Sequence, residues 1–225
     1  MSRVKFKVRV KPVGLLSIGS IYSSFASSDV AFARKPSMEG GKSVYKHYIP
    51  GSSFKGALRS STCRIAEVFG FKSCSEVDVG MIEKAHSRNG ICDVCRLFGY
   101  PKSNTPSVLS VSDFELQGYA KPYVITGIRI EDESGKVAEG ALFSTEKLYG
   151  SEFLGEISLT TDDVNLIGLT LLSLSELRLD CFGRRSQIDL KIEDTEGLER
   201  LLKGSKWISL LDELKEWLYD EILQD

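Results

Sequence analysis

The chain has 225 residues, 42% hydrophobic and 27% charged, with a formal net charge of −2. That is the make-up of an ordinary soluble globular protein, long enough for one sizeable domain with insertions. No apolar run is long enough to span a bilayer, and the net charge by itself gives no sign of a nucleic-acid partner.

The opening "MSRVKFKVRV" alternates Val4, Phe6, Val8 and Val10 with Arg3, Lys5, Lys7 and Arg9. This predicts a half-buried strand with a basic outer face. It lacks the apolar core of a signal peptide, so the expected location is cytoplasmic. Pro12-Val13-Gly14 ends the strand, and Gly19 to Tyr45, rich in Ser and Gly, reads as a long loop of functional or disordered character. A helix follows, capped by Ser52 or Ser53, with Leu58, Ile65 and Val68 beside Ala57 and Ala66 as its buried stripe, and Gly70 ends it. Phe71 to Gly99 is a Cys-bearing insertion. Pro106–Leu116 and Tyr123–Glu131 read as strands, with a hairpin tip at Asp132–Gly140 turning on Ser134-Gly135. "EFLGEISLTT" is a further strand, Asp162-Asp163 cap the apolar helix "VNLIGLTLLSLSELRL", and "CFGRRSQIDLKIE" is a turn and strand. From Thr195 the chain is an acidic amphipathic helix or helix pair carrying Trp207, Trp217 and several leucines, set to dock on its own core or on a neighbour.

The order is the βαββαβ plan of a ferredoxin-like α+β fold with insertions. One domain, 1–225, is expected. Its core covers about 1–70, 104–124 and 142–194, the insertion about 71–103, a protruding β-hairpin about 125–141, and the C-terminal helical region about 195–225.

Charge is unevenly spread. Between Arg34 and Arg64 seven bases (Arg34, Lys35, Lys42, Lys46, Lys55, Arg59, Arg64) stand against Glu39 alone, and from Asp189 to Asp225 eleven acids outweigh five bases. A basic face on a neutral body holds a polyanion; two solvated faces of opposite sign explain the same counts.

Within the basic segment, "HYIPGSSFKGALRSS" places Pro-Gly-Ser-Ser ahead of the helix. A helix start attracts anions through its unpaired N–H groups. Gly51 allows close approach, Ser52 and Ser53 add hydroxyls, and Lys55 and Arg59, four apart, share one helix face. The stretch is either a cradle for one or two phosphates or a well-capped helix with an exposed Lys and Arg. Gly51 and Gly56 have nucleotide-loop spacing, but Ala57 and Leu58 replace the required Lys and hydroxyl, which excludes ATP or GTP.

Five cysteines is an odd number. Cys92 and Cys95 are too close for an ordinary structural disulfide. With Cys74 and His86 they read C-x11-H-x5-C-x2-C, three thiolates and one imidazole, a full tetrahedral set for structural zinc. The alternative is a buried Cys95 and an exposed, unrelated His86. Cys63 reads as a core residue, and Cys181 has no second ligand near it.

Four stretches in order, "IPGSSFKGALRS", "CDVCRLFG", "TGIRIEDESGKVAEGALFSTEKLYGSEFLGEISL" and "FGRRS", resemble the RAMP superfamily of CRISPR-associated proteins. The likeness is above all to the repeated backbone subunit of type III (Csm/Cmr-type) interference complexes, and it runs from about residue 15 to about residue 190. The resemblance implies a modified RNA-recognition-type (RRM-type) core, copies of the chain stacked along a CRISPR guide RNA, and contacts with other complex subunits. It also implies a thumb-like hairpin wedged between bases, here about Ile125 to Phe143. Gly51, Ser52, Ser53, Lys55 and Arg59 would then clamp guide phosphates, with Lys46 and His47 extending the clamp. Arg129, between Ile128 and Ile130, would meet displaced bases. The family's late loop is richer in glycine than Cys181-Phe182-Gly183-Arg184-Arg185-Ser186. Arg184 and Arg185 still favour phosphate, while the closeness of the backbone approach is left open.

Catalytic members cut single-stranded target RNA once per subunit through an Asp, followed five residues later by an Arg, in the loop after the first strand. "SSDVAFARK" keeps that spacing in Asp29 and Arg34. Asp29 would hold magnesium or another divalent cation, or help move a proton, while the 2′-hydroxyl attacks its own phosphate. From residues alone the preferred reading of Asp29 is a turn or cap residue after Ser27-Ser28, and the catalytic role comes from the resemblance. The resemblance therefore carries a metal-dependent endoribonuclease acting within a complex. The alternatives are a non-catalytic RNA-binding scaffold and a guide-processing ribonuclease, which would need His47 or His86 for acid–base work. A zinc-stabilised interaction protein without RNA is the remaining class, and it leaves the basic segment and the four stretches unexplained.

Overall fold

A computed structural model describes residues 2–19, 28–76, 78–104, 106–132, 135–137, 142–150 and 152–219. Strand β1 (Arg3–Pro12) carries the predicted alternation, with Val4, Phe6, Val8 and Val10 buried. Its basic face is not bare. Lys5 pairs with Glu156, Lys7 with Asp194, and Arg9 with Glu152 and Glu193, acids that neighbouring strands or their ends bring alongside.

The expected long loop is partly a hairpin. β2 (Arg34–Glu39) and β3 (Lys42–Ile49) pair antiparallel around Gly40-Gly41. Weak periodicity hid it because both faces of this ribbon are half-exposed, so no apolar alternation was required. Residues 20–27 of the predicted loop lie outside the described residues.

Helix α1 (Gly51–Ile65) buries Phe54 and Leu58 with Ser61 and Thr62. It stops earlier than expected, and Val68, expected in the stripe, is 80% exposed. The insertion holds α2 (Val79–Asn89) and α3 (Asp93–Phe98). The strand expected over Pro106–Leu116 is two short ones, β4 (Leu109–Val111) and β5 (Phe114–Gln117), broken at Ser112-Asp113. Next come β6 (Lys121–Gly127) and β7 (Phe143–Tyr149), which form a separate two-stranded ribbon, with isolated bridges from β7 to Leu16 and Val30. Beyond Gly127 the expected strand continues only as an isolated bridge, Ile130 to Val137; Ser134 and 138–140 of the expected tip lie outside the described residues. β8 (Glu152–Thr160), α4 (Val164–Leu179) and β9 (Ile188–Glu193) complete the core, and the Asp163 carboxylate caps α4 by accepting from Asn165 N.

The main sheet is seven-stranded, ordered β2-β3-β5-β8-β1-β9, with β4 also on β8. The stretch β5-β8-β1-β9 is the strand order of a ferredoxin-like sheet, with α1 and α4 packed together and Thr62 Oγ1 donating to Ser173 Oγ at 2.6 Å within their contact. The fold is therefore α+β, as expected.

α5 (Glu196–Leu202) and α6 (Ile208–Glu213) dock on this chain's own core. Trp207, 6% exposed, lies against Gly168 of α4 and 6.0 Å from the Phe71 ring. Farther on, buried Asp189 accepts from Leu218 N and Tyr219 N, and Trp217 is flanked by Lys11 and Lys191. Trp207→Ala is expected to cost about 3–5 kcal/mol, the usual toll of a large aromatic lost from a core. Urea unfolding monitored by circular dichroism measures it. A loss of no more than about 0.5 kcal/mol, the size usual for surface changes, would mean the region's place is on a partner.

Candidate nucleic-acid interface and metal centre

The helix start is already occupied by the chain itself. Pro50 stands at the N-cap position, so neither Ser52 nor Ser53 caps the helix. Asp113, in the break between β4 and β5, accepts from Gly51 N at 2.9 Å. A Cβ at Gly51 would fall 2.6 Å from the Val111 and Ser112 carbonyl oxygens. That glycine makes room for the β4–β5 turn. Lys55 Nζ donates to Ser107 Oγ and the Leu109 carbonyl, both at 2.9 Å, and burial pulls its pKa down, with Arg59 adding to the effect. Arg59 donates to the Gly99 carbonyl at 2.8 Å and to Cys95 Sγ at 3.4 Å. The expected clamp therefore turns Lys55 and Arg59 inward and leaves Ser52 and Ser53 exposed.

Most of the other bases of the segment are also matched by acids, all but Glu39 from elsewhere in the chain. Lys35 meets Glu115 and Asp113, Lys46 meets Glu39 at 2.5 Å, and Arg64 meets Glu176 and Asp180. Arg34 pairs with Glu146 of β7, a carboxylate only 4% exposed, and donates from Nε to His47 Nε2 at 3.0 Å. Glu146 also accepts from Phe32 N at 2.9 Å. His47 packs edge-on to Phe32, and its pKa is lowered first by burial, then by Arg34. This network ties the β2–β3 ribbon to the root of the β6–β7 ribbon. Glu146 was not expected from sequence; in "FSTEKLY" it looks like any exposed strand carboxylate.

Asp29 lies exposed beside the start of β7. Ser144 N and Oγ both donate to its Oδ2, at 2.6 and 3.0 Å, and Ser144 Oγ accepts from Asp29 N. The backbone bond first, and the hydroxyl second, hold its carboxyl below the usual carboxylate range. Val30 continues alongside as an isolated bridge to Thr145.

Two adjoining cavities flank this stretch. One, of about 300 Å³, is lined by Val30, Ser53 of α1, Gly183 and Arg184 among others. The second, of about 430 Å³, is lined by Arg129, Phe143, Thr145, Lys147, Arg184 and Arg185 with residues of β6. Arg184 belongs to both, and among the described residues neither wall contains an acid. Gly183 adopts φ +74° and packs so close to the Ser17 carbonyl that a Cβ would fall 2.2 Å away, which fixes the turn. From it Arg184 reaches over the Phe143 ring at 5.2 Å. Thr145 Oγ1 is buried with no hydrogen-bond partner among the described residues. Of the predicted RNA contacts, then, Arg129, Arg184 and Arg185 line the larger cavity and Ser53 and Arg184 the smaller, while Asp29, bonded to Ser144, lines neither and is the chain neighbour of Val30 in the smaller one. Gly51, Lys55, Arg59, Arg34, Lys46 and His47 are engaged within the fold. Ser144, Lys147 and Phe143 join the site from β7, whose role only the strand pairing reveals.

The second site is in the insertion. Asp78 caps α2 by accepting from Met81 N, and Gly90, at φ +74°, reverses the chain after α2. Asp93 N bonds the Lys72 carbonyl while its carboxylate accepts from Lys72 N, which lays Cys74 beside α3. The ligand atoms of Cys74, His86, Cys92 and Cys95 all lie within 4.8 Å of one another. Cys74 Sγ and Cys95 Sγ are 3.7 Å apart, close to the edge of about 3.7–3.8 Å that zinc–sulfur bonds of about 2.3 Å give a tetrahedron. Both His86 ring nitrogens are buried, and among the described residues neither meets a protein hydrogen-bond partner in ordinary geometry outside the thiol cluster. Three thiols and an imidazole gathered at this spacing fit a tetrahedral zinc ion. Cys92 is pushed down to about 4, chiefly by the Cys95 thiol donating to it, and Cys95 is pushed up in turn.

No curated protein sequence matches the chain. Among solved structures, a chain described as "Type IV-B CRISPR Complex" superposes with a TM-score of 0.59 at 18% identity, over 86% of this chain and 92% of that one. Likeness at that identity carries the fold. A family model of the RAMP superfamily matches residues 36–188, more than half of the chain. With that match on top of the shared fold, the chain belongs to the RAMP superfamily.

Proposed function

We propose that this chain is the guide-RNA-binding backbone subunit of a type III CRISPR effector complex, and that it cuts complementary target RNA in a metal-dependent way. The observation that carries the RNA reading is the pair of adjoining cavities that share Arg184 and among the described residues hold no acid, with Ser53 lining one and Arg129, Lys147 and Arg185 lining the other beside Phe143. Cations that track phosphate beside an aromatic face are what single-stranded RNA binding needs. Arg184 and Arg185 take backbone phosphates. Thr145 Oγ1 offers its unused hydroxyl to a sugar or base, and the exposed Ile128 and Ile130 of the ribbon meet displaced bases. The type III assignment rests on the four motif stretches, since the similar solved chain is described as part of a type IV-B complex and the shared fold does not choose between them.

For cleavage, Asp29, the chain neighbour of Val30 in the smaller cavity, takes up the proton of an attacking 2′-hydroxyl or orients the water of a bound cation. A divalent cation such as magnesium would supply charge stabilisation at the phosphate. The groove bends the strand into line. A scaffold that does not cut is the second reading, favoured by the two Ser144 bonds that give Asp29 an ordinary structural role. Cys74, His86, Cys92 and Cys95 would hold zinc; four protein ligands close its shell, so its contribution is structural.

Arg184→Ala with Arg185→Ala tests the RNA reading. Binding to two unrelated single-stranded RNAs, followed by fluorescence anisotropy, is expected to weaken roughly tenfold for both, with the salt slope falling by about 0.7 per lost phosphate contact. Lys55→Ala, whose ammonium faces inward, leaves both unchanged. Equal loss for Lys55→Ala, or none for the double variant, would sink the groove.

A further inference from the structure

Arg59 was expected on phosphate, yet it bonds the Cys-rich insertion. We propose that Arg59 is a positioning residue of the metal centre: its guanidinium donates to the Cys95 sulfur and offsets the surplus negative charge of the ligand set. The inference rests on the metal reading above and assigns to that centre a residue outside its four ligands.

Three thiolates and a neutral imidazole around a divalent zinc leave a net charge of −1. Cys92 and Cys95 are buried and Cys74 is half-buried, and a charge taken from water without compensation is costly. Arg59 supplies the compensation with a fixed geometry. Nη2 lies 3.4 Å from Cys95 Sγ while Nη1 holds the Gly99 carbonyl at 2.8 Å, so the planar fork is gripped at both prongs. Gly99 N in turn donates to the Cys95 carbonyl at 2.9 Å. The guanidinium therefore closes a ring through both ends of α3, the element that carries Cys95. A lysine keeps the charge but not the two-pronged hold. Because Arg59 stands on α1, the same bonds tie that helix to the insertion, so the centre is braced from the ferredoxin-like core and not by its own loop alone. Lys55, one turn earlier on the same helix, spends its ammonium on Ser107 and Leu109, so it serves as the matched control.

The test titrates the full chain with zinc against a chromophoric chelator and with cobalt followed by absorption. The natural chain is expected to bind one ion with a tetrahedral cobalt spectrum. Arg59→Ala is expected to lower affinity 10–100-fold, the usual effect of losing an outer-shell partner, and to move the thiolate-to-cobalt band to lower energy, because the sulfur lone pairs lose a donor. Arg59→Lys recovers part of the affinity and Lys55→Ala changes neither reading. The band position separates this role from loose folding, which lowers affinity without moving the band of the ion that remains bound. If Arg59→Ala binds within twofold of the natural chain with an unmoved band, the proposal is overturned while the metal site stands. If the natural chain binds no ion, the metal reading and the proposal fall together.

Discussion

Asp29→Ala is expected to slow target-RNA cleavage by about 10²–10⁴-fold, the range lost with a positioned proton-transfer or metal-holding carboxylate, at unchanged guide and target binding. The experiment assembles the complex on a guide RNA, adds complementary RNA and magnesium, and follows fragments on a gel beside a binding assay. Asp29→Asn preserves the shape and much of the Ser144 contact, so it isolates the charge. Ser144→Ala removes one of the two bonds to Oδ2 and leaves the backbone N–H in place; its loss of rate is expected to be smaller. Since Ser144 holds the Asp29 carboxyl below the usual carboxylate range, any stability it contributes is full above that range and fades only as pH falls through the lower, folded value. Cleavage should therefore show no acid limb from Asp29 at mildly acidic pH. Equal cutting by Asp29→Ala would move the chemistry to another acid or subunit, and binding without cutting by the natural complex would favour the scaffold reading.

Removing the metal is expected to have the largest effect on stability. With free zinc at about 1,000 times its dissociation constant, binding adds ~4 kcal/mol to the folded state, and at 2–4 °C per kcal/mol for a chain of this size the melting temperature should fall by roughly 10 °C on chelation. Scanning calorimetry with and without a strong chelator measures this. The loss should spread beyond the insertion, because Cys92, Val94, Cys95, Leu97 and Phe98 belong to the same buried cluster as the sheet. Cys92→Ser should reproduce the chelated state and no longer respond to the chelator. Cys63→Ser, half-buried near the site but outside the ligand set, should keep its response. A natural chain indifferent to chelation would leave the four side chains as a packed but metal-free cluster.

Where sequence and structure agree, the signal was periodic or carried by spacing. The alternation of Val4, Phe6, Val8 and Val10 requires a strand whatever surrounds it. The all-apolar run of α4 requires burial on every side, and Asp163 marks its start. The Cys-x-x-Cys pair with an upstream Cys and His limits the chemistry before any fold is known. These are local properties, and they were enough for the α+β plan and for the metal cluster.

Where the two part, the missing information was long-range. Seven bases within thirty-one positions look like a polyanion-binding surface only until the fold brings Glu146 beside Arg34, Glu115 beside Lys35, and Glu176 and Asp180 beside Arg64. The start of α1 looks like an open anion site only until Asp113 arrives from sixty-two residues away. Conversely, Phe143, Ser144 and Lys147 acquire their place because β7 runs beside Val30, a pairing that no local pattern encodes. The chain by itself determined which segments must be strands or helices, and which side chains are able to hold metal or phosphate, because periodicity, capping and donor chemistry are written locally. Only the tertiary structure decided which of those side chains are free to do so, because charges and hydrogen-bond donors are consumed by whichever partners folding brings within reach.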